Sequence, residues 1–280
     1  MRSPLLSCSG SEGRAVDAAL SVEYAGGRSM LRRQHVGYPL HVTRGFYLDA
    51  ARPDLLTLYL QSASGGLYAG DRIGLDLTIG RGAAFHLTTQ AATVVHDGRA
   101  SGAVQRLTMS VEAGAFCAVT NDPYVLFPGA ELTLQTTATV ADDAVLCVAD
   151  GFAVHDPRAG GRTFTEFSSR LRIGRPDGQL LLQDAGRVSG DHLHGALGTF
   201  AASANLVVIA PPDRLPPAKS LQQAADACGA LAGASAAPNG AGLVLRILAP
   251  DGGTLSRAMD AAFHVAAETA LGVGLARRRK

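Results

Sequence analysis

Apolar and polar residues alternate over short stretches along most of this chain. From Arg72 to Ile79, the residues Ile73, Leu75, Leu77 and Ile79 fall on one side of an extended segment, and Leu55 to Leu60, Glu131 to Val140 and Leu243 to Leu248 read the same way. This period predicts β-strands of ordinary length. Three segments share a further echo: Ile79-Gly80-Arg81-Gly82-Ala83-Ala84-Phe85, Val111-Glu112-Ala113-Gly114-Ala115-Phe116-Cys117 and Val140-Ala141-Asp142-Asp143-Ala144-Val145-Leu146. Each joins a strand end, a tight polar or glycine turn, an alanine and a new strand. The echoes start about thirty residues apart, a spacing at which recurring units stack as layers. Such turns also occur wherever one strand follows another in a free-form sandwich; the triple recurrence favours the stack.

Two segments change to helical spacing. Lys219 to Ala232 carries Leu221, Ala224, Ala225, Cys228 and Leu231 on one face, after the break at Pro216-Pro217. Thr254 to Leu271 does the same with Leu255, Met259, Ala262, Phe263 and Ala266, with Thr254 as N-cap and Gly272 just past the last apolar position. Between them, Gly233 to Gly242 is small and polar and predicts a mobile loop. The expected fold is therefore all-β with two helices near the C-terminus, a stacked-sheet, β-solenoid-like single domain spanning 1–280. Within it, 1–14 is expected to be flexible and 272–280 to form a basic tail.

Composition sharpens this. With 280 residues, 47% hydrophobic and 18% charged, the chain can bury a large core in one domain, and its apolar excess implies a dense interior or a sticky protein-binding surface. A formal net charge of +1 gives no reason to expect nucleic acid or an anionic membrane as partner. No apolar run is long enough for a membrane helix. The four cysteines, Cys8, Cys117, Cys147 and Cys228, are far apart and form no Cys-x-x-Cys, which excludes a zinc knuckle or thioredoxin-type pair and points to the cytoplasm.

Local catalytic signatures are missing from the sequence. There is no Gly-x-Ser-x-Gly, Gly-x-Gly-x-x-Gly or His-Glu-x-x-His, and neither lysine, Lys219 or Lys280, follows a phosphate-binding turn. A small hydrolase with a loop-borne site built on His155 or His192 remains the rival from the enzyme class. In Asp191-His192-Leu193-His194, two imidazoles one residue apart share a face if the segment is extended, which would let both bind one borderline metal ion; two exposed loop histidines are the plainer reading. His155-Asp156 beside Pro157 reads as a polar pair or a turn, and His86 as a strand residue on an outward face. Thr88-Thr89-Gln90 offer only neutral donors and acceptors. The run Ser62-Ala63-Ser64-Gly65-Gly66-Leu67-Tyr68-Ala69-Gly70-Asp71 is explained by conformation alone, with glycines supplying positive φ and Asp71 accepting backbone hydrogen bonds.

That same run, followed by Gly82-Ala83-Ala84-Phe85-His86-Leu87-Thr88-Thr89-Gln90-Ala91-Ala92-Thr93, resembles the signature of the urease accessory proteins of the D type, also called H. Leu40-His41-Val42-Thr43-Arg44-Gly45-Phe46 is similar to that family's Leu-x-Val-x-Arg-x-Phe block, and Leu126 to Leu132 to its Phe-x-Gly-Ala turn. The chain looks like a divergent member. Ser62-Ala63-Ser64 stands where the family has His-Pro-Pro, Phe116 to Pro123 replaces an aromatic and acidic segment, and Gly161-Arg162 replaces Gly-Glu.

The resemblance implies a non-enzymatic urease maturation factor. It would bind the urease apoprotein and, with accessory proteins F and G, support nickel insertion, with no tightly bound cofactor and nickel held only in transit. It further implies that Asp71 is among the polar residues lining the nickel route, which adds Asp71 to His192 and His194 as candidate metal residues. The departures leave a second family reading open, a scaffold homologue without nickel handling.

Overall fold

The computed structural model describes residues 13–99 and 101–277. The chain starts with an antiparallel pair, β1 (Ala15–Ala25) and β2 (Arg28–His35), crosses to a second antiparallel pair, β3 (Leu40–Val42) and β4 (Leu56–Ser62), and then settles into a repeated course. Strands β5 (Arg72–Ile79), β8 (Ala103–Val111) and β11 (Glu131–Val140) lie parallel in one sheet. The strands that follow them, β6 (Ala84–Thr89), β9 (Phe116–Thr120) and β12 (Val145–Val154), lie parallel in the other. Short strands β7 (Val94–Val95) and β10 (Tyr124–Leu126) make a third edge to the first two coils, and the distal part of β12 continues that edge beside β10.

This is a stack of coils. The expected β-solenoid-like architecture is present, and the three echoed turns are its corners. Glu112 N–H donates to Ile79 O and Ala141 N–H to Val111 O, while Phe116 N–H reaches Ala83 O and Val145 N–H reaches Ala115 O, all at 2.9 Å. Ala83, Ala115 and Ala144 are buried beneath one another at these corners. Gly82 and Gly114 both turn with φ of +68°, which a side chain would resist. In the third coil the corner has no glycine; instead the carboxylate of Asp143 accepts from Gly114 N–H at 2.8 Å.

The remaining strands close the stack. β13 (Glu166–Gly174) continues the first sheet in parallel and β14 (Leu180–Ser189) ends it antiparallel. A one-turn helix, α1 (Leu193–Leu197), leads to an antiparallel meander of β15 (Ala202–Ile209), β16 (Leu231–Ala236) and β17 (Gly242–Ala249) on the second sheet. Helices α2 (Ala218–Asp226) and α3 (Gly252–Leu271) pack on that sheet's outer face. The second sheet is thus covered on both sides, by the first sheet and by the helices, and every residue of β6 is buried.

Four expectations are corrected. The helix expected over Lys219–Ala232 ends at Asp226, where the Asp226 side chain accepts from Ala232 N–H at 2.9 Å and turns the chain into β16. The expected mobile loop Gly233–Gly242 therefore contains an edge strand, β16, whose small side chains alternate too weakly to announce it. The N-cap of α3 is Asp251, which accepts from Thr254 N–H at 2.7 Å, so Thr254 is a helix residue; Gly272 does end the helix in the left-handed conformation. The flexible start expected over 1–14 falls outside the described residues for 1–12, but Arg14 is held by Asp71. Of the basic tail, 278–280 lie outside the described residues. Among the described residues no helix is long and apolar enough to cross a membrane.

The corner alanines give a direct test of the stack. Ala115→Leu adds three carbons where two coils meet and is expected to cost about 1–3 kcal/mol through overpacking, read as a lower urea midpoint at unchanged slope.

Candidate functional site

The space between the two sheets is not uniformly apolar. One hydrophobic cluster, including Leu77, Leu87 and Val119, fills one part, and a second, including Leu126, Phe152, Phe164 and Phe167, fills another. A seam of polar side chains lies at one level of the coils. The first sheet contributes Gln105 from β8, Thr136 from β11, Ser169 from β13 and Asp184 from β14; the second contributes Asn121, Tyr124, Asp150 of β12, Asn205 of β15 and Arg246 of β17.

Hydrogen bonds link them across the gap. Tyr124 donates to Gln105, Ser169 Oγ donates to Asp150, and Asn205 donates to the other oxygen of Asp150 at 3.0 Å. Arg246 then joins Asn205 (3.2 Å) to Asp184 (2.8 Å). Register explains the alignment, since Asp150 stands opposite Asn205, which stands opposite Arg246, along three adjacent strands.

At one end the seam opens into a recess of about 610 Å3 lined by His41, Gln61, Gln90, Asp122 and the Gly65-Gly66-Leu67 backbone, with Gln61 donating to Gln90 across it. Gln105, Asn121, Asp122 and Tyr124 border both this recess and a small, partly open pocket of about 50 Å3, whose far side is Ala149-Asp150-Gly151, with Asp150 half-buried. That pocket has room for one or two waters. Asn121 Oδ1 is buried there without a hydrogen-bond partner. Burial pushes the Asp150 carboxyl above its usual pKa, and the Ser169 and Asn205 donors only partly offset it. Burial likewise raises the Tyr124 phenol.

Asp71 has a different office. It is 1% exposed, and its carboxylate accepts from Arg14 N–H and Nε (both 3.0 Å), from Arg14 Nη2 and from Tyr68 N–H (2.9 Å). Burial alone would raise its pKa; the guanidinium and the two backbone donors outweigh that and hold it below the usual carboxylate range. Its charge is therefore already answered, and it does not line the recess. What it fixes is the turn that does. Gly66, at φ +134°, passes so close to β7 that a Cβ would lie 2.3 Å from Val94 O.

The histidines are scattered. The extended course that would align His192 with His194 does not form, because His192 ends a 3-10 turn and His194 sits in α1, where residues two apart point about 200° away from each other. Both are exposed, and His194 Nδ1 lies 3.2 Å from Gly198 O. His86 is not on an outward face. It is buried, 2.7 Å from Thr120 Oγ1, with its ring against Phe263 of α3. His155 is exposed beside Phe127. Among the described residues no three His, Cys, Asp or Glu side chains converge as a metal-holding group.

The fold and site thus define a β-solenoid-like protein whose distinguishing interior is a hydrogen-bonded polar seam. The model of the UreD urease accessory protein family matches residues 15–280, and the chain belongs to that family. It is 84% identical to urease accessory protein UreD 1 of Bradyrhizobium sp. (strain BTAi1 / ATCC BAA-1182) and 82% identical to urease accessory protein UreD 3 of Bradyrhizobium sp. (strain ORS 278), over the whole of each chain. It is 44% identical to urease accessory protein UreD 1 of Methylorubrum populi (strain ATCC BAA-705 / NCIMB 13946 / BJ001), over 96% of this chain and 92% of that one. Its role is in urease maturation, as an accessory protein and not an enzyme.

Asp71→Asn removes the charge facing Arg14 and is expected to lower stability by about 1–3 kcal/mol at neutral pH. Because the folded pKa is depressed, the carboxylate's contribution is present above about pH 4, its unfolded pKa, and is lost as pH falls through the lower folded value. Urea unfolding should accordingly show the gap between wild type and variant closing on acidification.

Proposed function

We propose that this protein binds the urease apoprotein, assembles with accessory proteins F and G, and passes nickel along the polar seam toward the urease active site. The observation that carries this reading is the pocket at Asp150. A closed apolar interior would be simpler to fold, yet the chain keeps a carboxylate there, joined by hydrogen-bonding neighbours to a recess on the surface. A divalent ion in a partly buried site is drawn to a carboxylate far more strongly than to amides and hydroxyls. Gln61, Gln90, Asn121, Gln105 and Tyr124 then serve as neutral oxygens that pass the ion without trapping it. Asp71 holds the turn at the recess. His192 and His194, facing apart at the surface, each offer a single imidazole at most.

Exposed apolar side chains support the partner half of the proposal. Tyr38 is 69% exposed and Leu231 55%, with Tyr24, Leu48 and Met30 also in solvent. Co-expression with the F-type protein is expected to raise soluble yield, and the pair should co-elute in size-exclusion chromatography. A monodisperse monomer that ignores that protein would contradict the assignment.

The route is tested by Asp150→Asn, which keeps the size and most of the hydrogen bonding of the side chain and removes its capacity for negative charge. The variant is expected to fold and assemble normally while the urease matured with it contains several-fold less nickel and has correspondingly lower activity. Normal nickel content in an assembled complex would refute the route through Asp150.

A further inference from the structure

A second recess, of about 450 Å3, opens beside the Gly65–Asp71 turn and shares no residue with the seam. Its walls are aromatic and prolyl: Tyr68, His96, Phe127, Pro128 and Pro157. Tyr68 lies flat on His96, with ring centroids 4.4 Å apart and planes within 10°, and Phe127 meets His96 edge-on at 5.5 Å. The Arg14 guanidinium, pinned by Asp71, covers the Tyr68 ring at 5.3 Å, so this 43% exposed tyrosine is held in place. A preset aromatic surface binds without first losing rotamer freedom.

The rest of the lining is cationic. Arg99, Arg158 and Arg162 share the lining with one carboxylate, that of Asp97, and Arg162 is also paired with Asp156 at 3.4 Å. The nearby acids are occupied with their own loops. Asp97 accepts from Arg99 N–H at 2.9 Å, and Asp156 accepts from the N–H groups of Arg158, Gly160 and Arg162 at 3.1, 2.9 and 3.1 Å. Those donors, led by Arg158 N–H, hold the Asp156 carboxyl below its usual pKa. Asp156 thereby shapes the loop that presents Arg158 and Arg162. Among the described residues, Arg99 and Arg158 have no carboxylate paired to their guanidinium groups.

We propose that this recess is a docking cleft for an acidic segment of a protein partner. Carboxylates of that segment meet Arg99 and Arg158, and an aromatic side chain of it packs against Phe127 and the exposed edge of Tyr68. Arginine and tyrosine are the residue types that dominate such contacts, and the charge imbalance selects an acidic occupant. A free anion such as phosphate would engage the arginines but make no use of the aromatic wall. The inference rests on the reading of this chain as an assembling maturation factor and is independent of the nickel route.

The test titrates full-length protein into a fluorescein-labelled peptide, Asp-Glu-Phe-Glu-Asp-Glu, and into its neutral analogue, Asn-Gln-Phe-Gln-Asn-Gln. The acidic peptide is expected to bind, with the analogue about tenfold weaker or more and with affinity falling as salt rises. The double variant Arg99→Glu/Arg158→Glu should weaken binding about tenfold or more at an unchanged melting temperature. If that variant does not fold, the milder pair Arg99→Gln/Arg158→Gln gives the same readout. Tyr68→Phe should bind as wild type does, because the ring and not the hydroxyl makes the surface. Equal binding of both peptides, charge reversal without loss of affinity, or displacement of the peptide by inorganic phosphate as effectively as by unlabelled peptide would each overturn the proposal. None of these outcomes bears on Asp150, whose test reads nickel content.

Discussion

The structure depends on one constraint, the register between successive coils. In parallel ladders each strand repeats the inward and outward alternation of its neighbour, and a slip of one residue would turn every side chain to the opposite face. The corner bonds from Phe116 to Ala83 and from Val145 to Ala115 hold that register at the point where each coil passes from one sheet to the other. Because they hold, Gln105 of the second coil and Asp150 of the third come to the same level from opposite sheets. A seam assembled from residues so distant in sequence exists only while the coils stay aligned.

Placing that seam between two apolar clusters is costly in folding terms. Each polar group taken from water needs a partner, and an ionised carboxylate needs more than amides can give. The fold answers most of the demand: Asp150 has Ser169 and Asn205, and Asp184 has Arg246. It leaves Asn121 Oδ1 unanswered, and burial pushes the Asp150 carboxyl above its usual range. A purely structural network would be better closed by hydrophobic residues of similar volume. That unanswered acceptor lies where the surface recess meets the small pocket beside Asp150.

Much of the architecture was legible in the chain. The alternation at Arg72–Ile79 and Glu131–Val140 matches β5 and β11 residue for residue, and the echoed alanine turns announced the stack. The seam was not legible. Asp150 lies in Cys147-Val148-Ala149-Asp150-Gly151, which forms no motif, and its partners Ser169 and Asn205 are 19 and 55 residues away. Sequence spacing drew attention instead to His192 and His194, where it assumed an extended backbone that the chain does not adopt. The partner of Asp71 was hidden for a similar reason. Arg14 is 57 residues away, within a segment read as flexible, so the carboxylate looked available when it is committed.

The Gly65–Asp71 turn draws these threads together. Its glycines and aspartate look like a binding motif, but their chemistry is spent on conformation. One side of the turn, Gly65 to Leu67, walls the recess that leads to Asp150; the next residue, Tyr68, begins the aromatic wall of the arginine-lined cleft. His96 binds the two together, with Nε2 3.2 Å from Gly65 O and its ring flat on Tyr68. Asp71 stabilises both surfaces by holding Tyr68 N–H and the arginine that covers the Tyr68 ring. A single buried carboxylate that lines neither recess thus supports the walls of both. That is why a strong sequence signature can mark a turn whose side chains are committed to holding its neighbours in place.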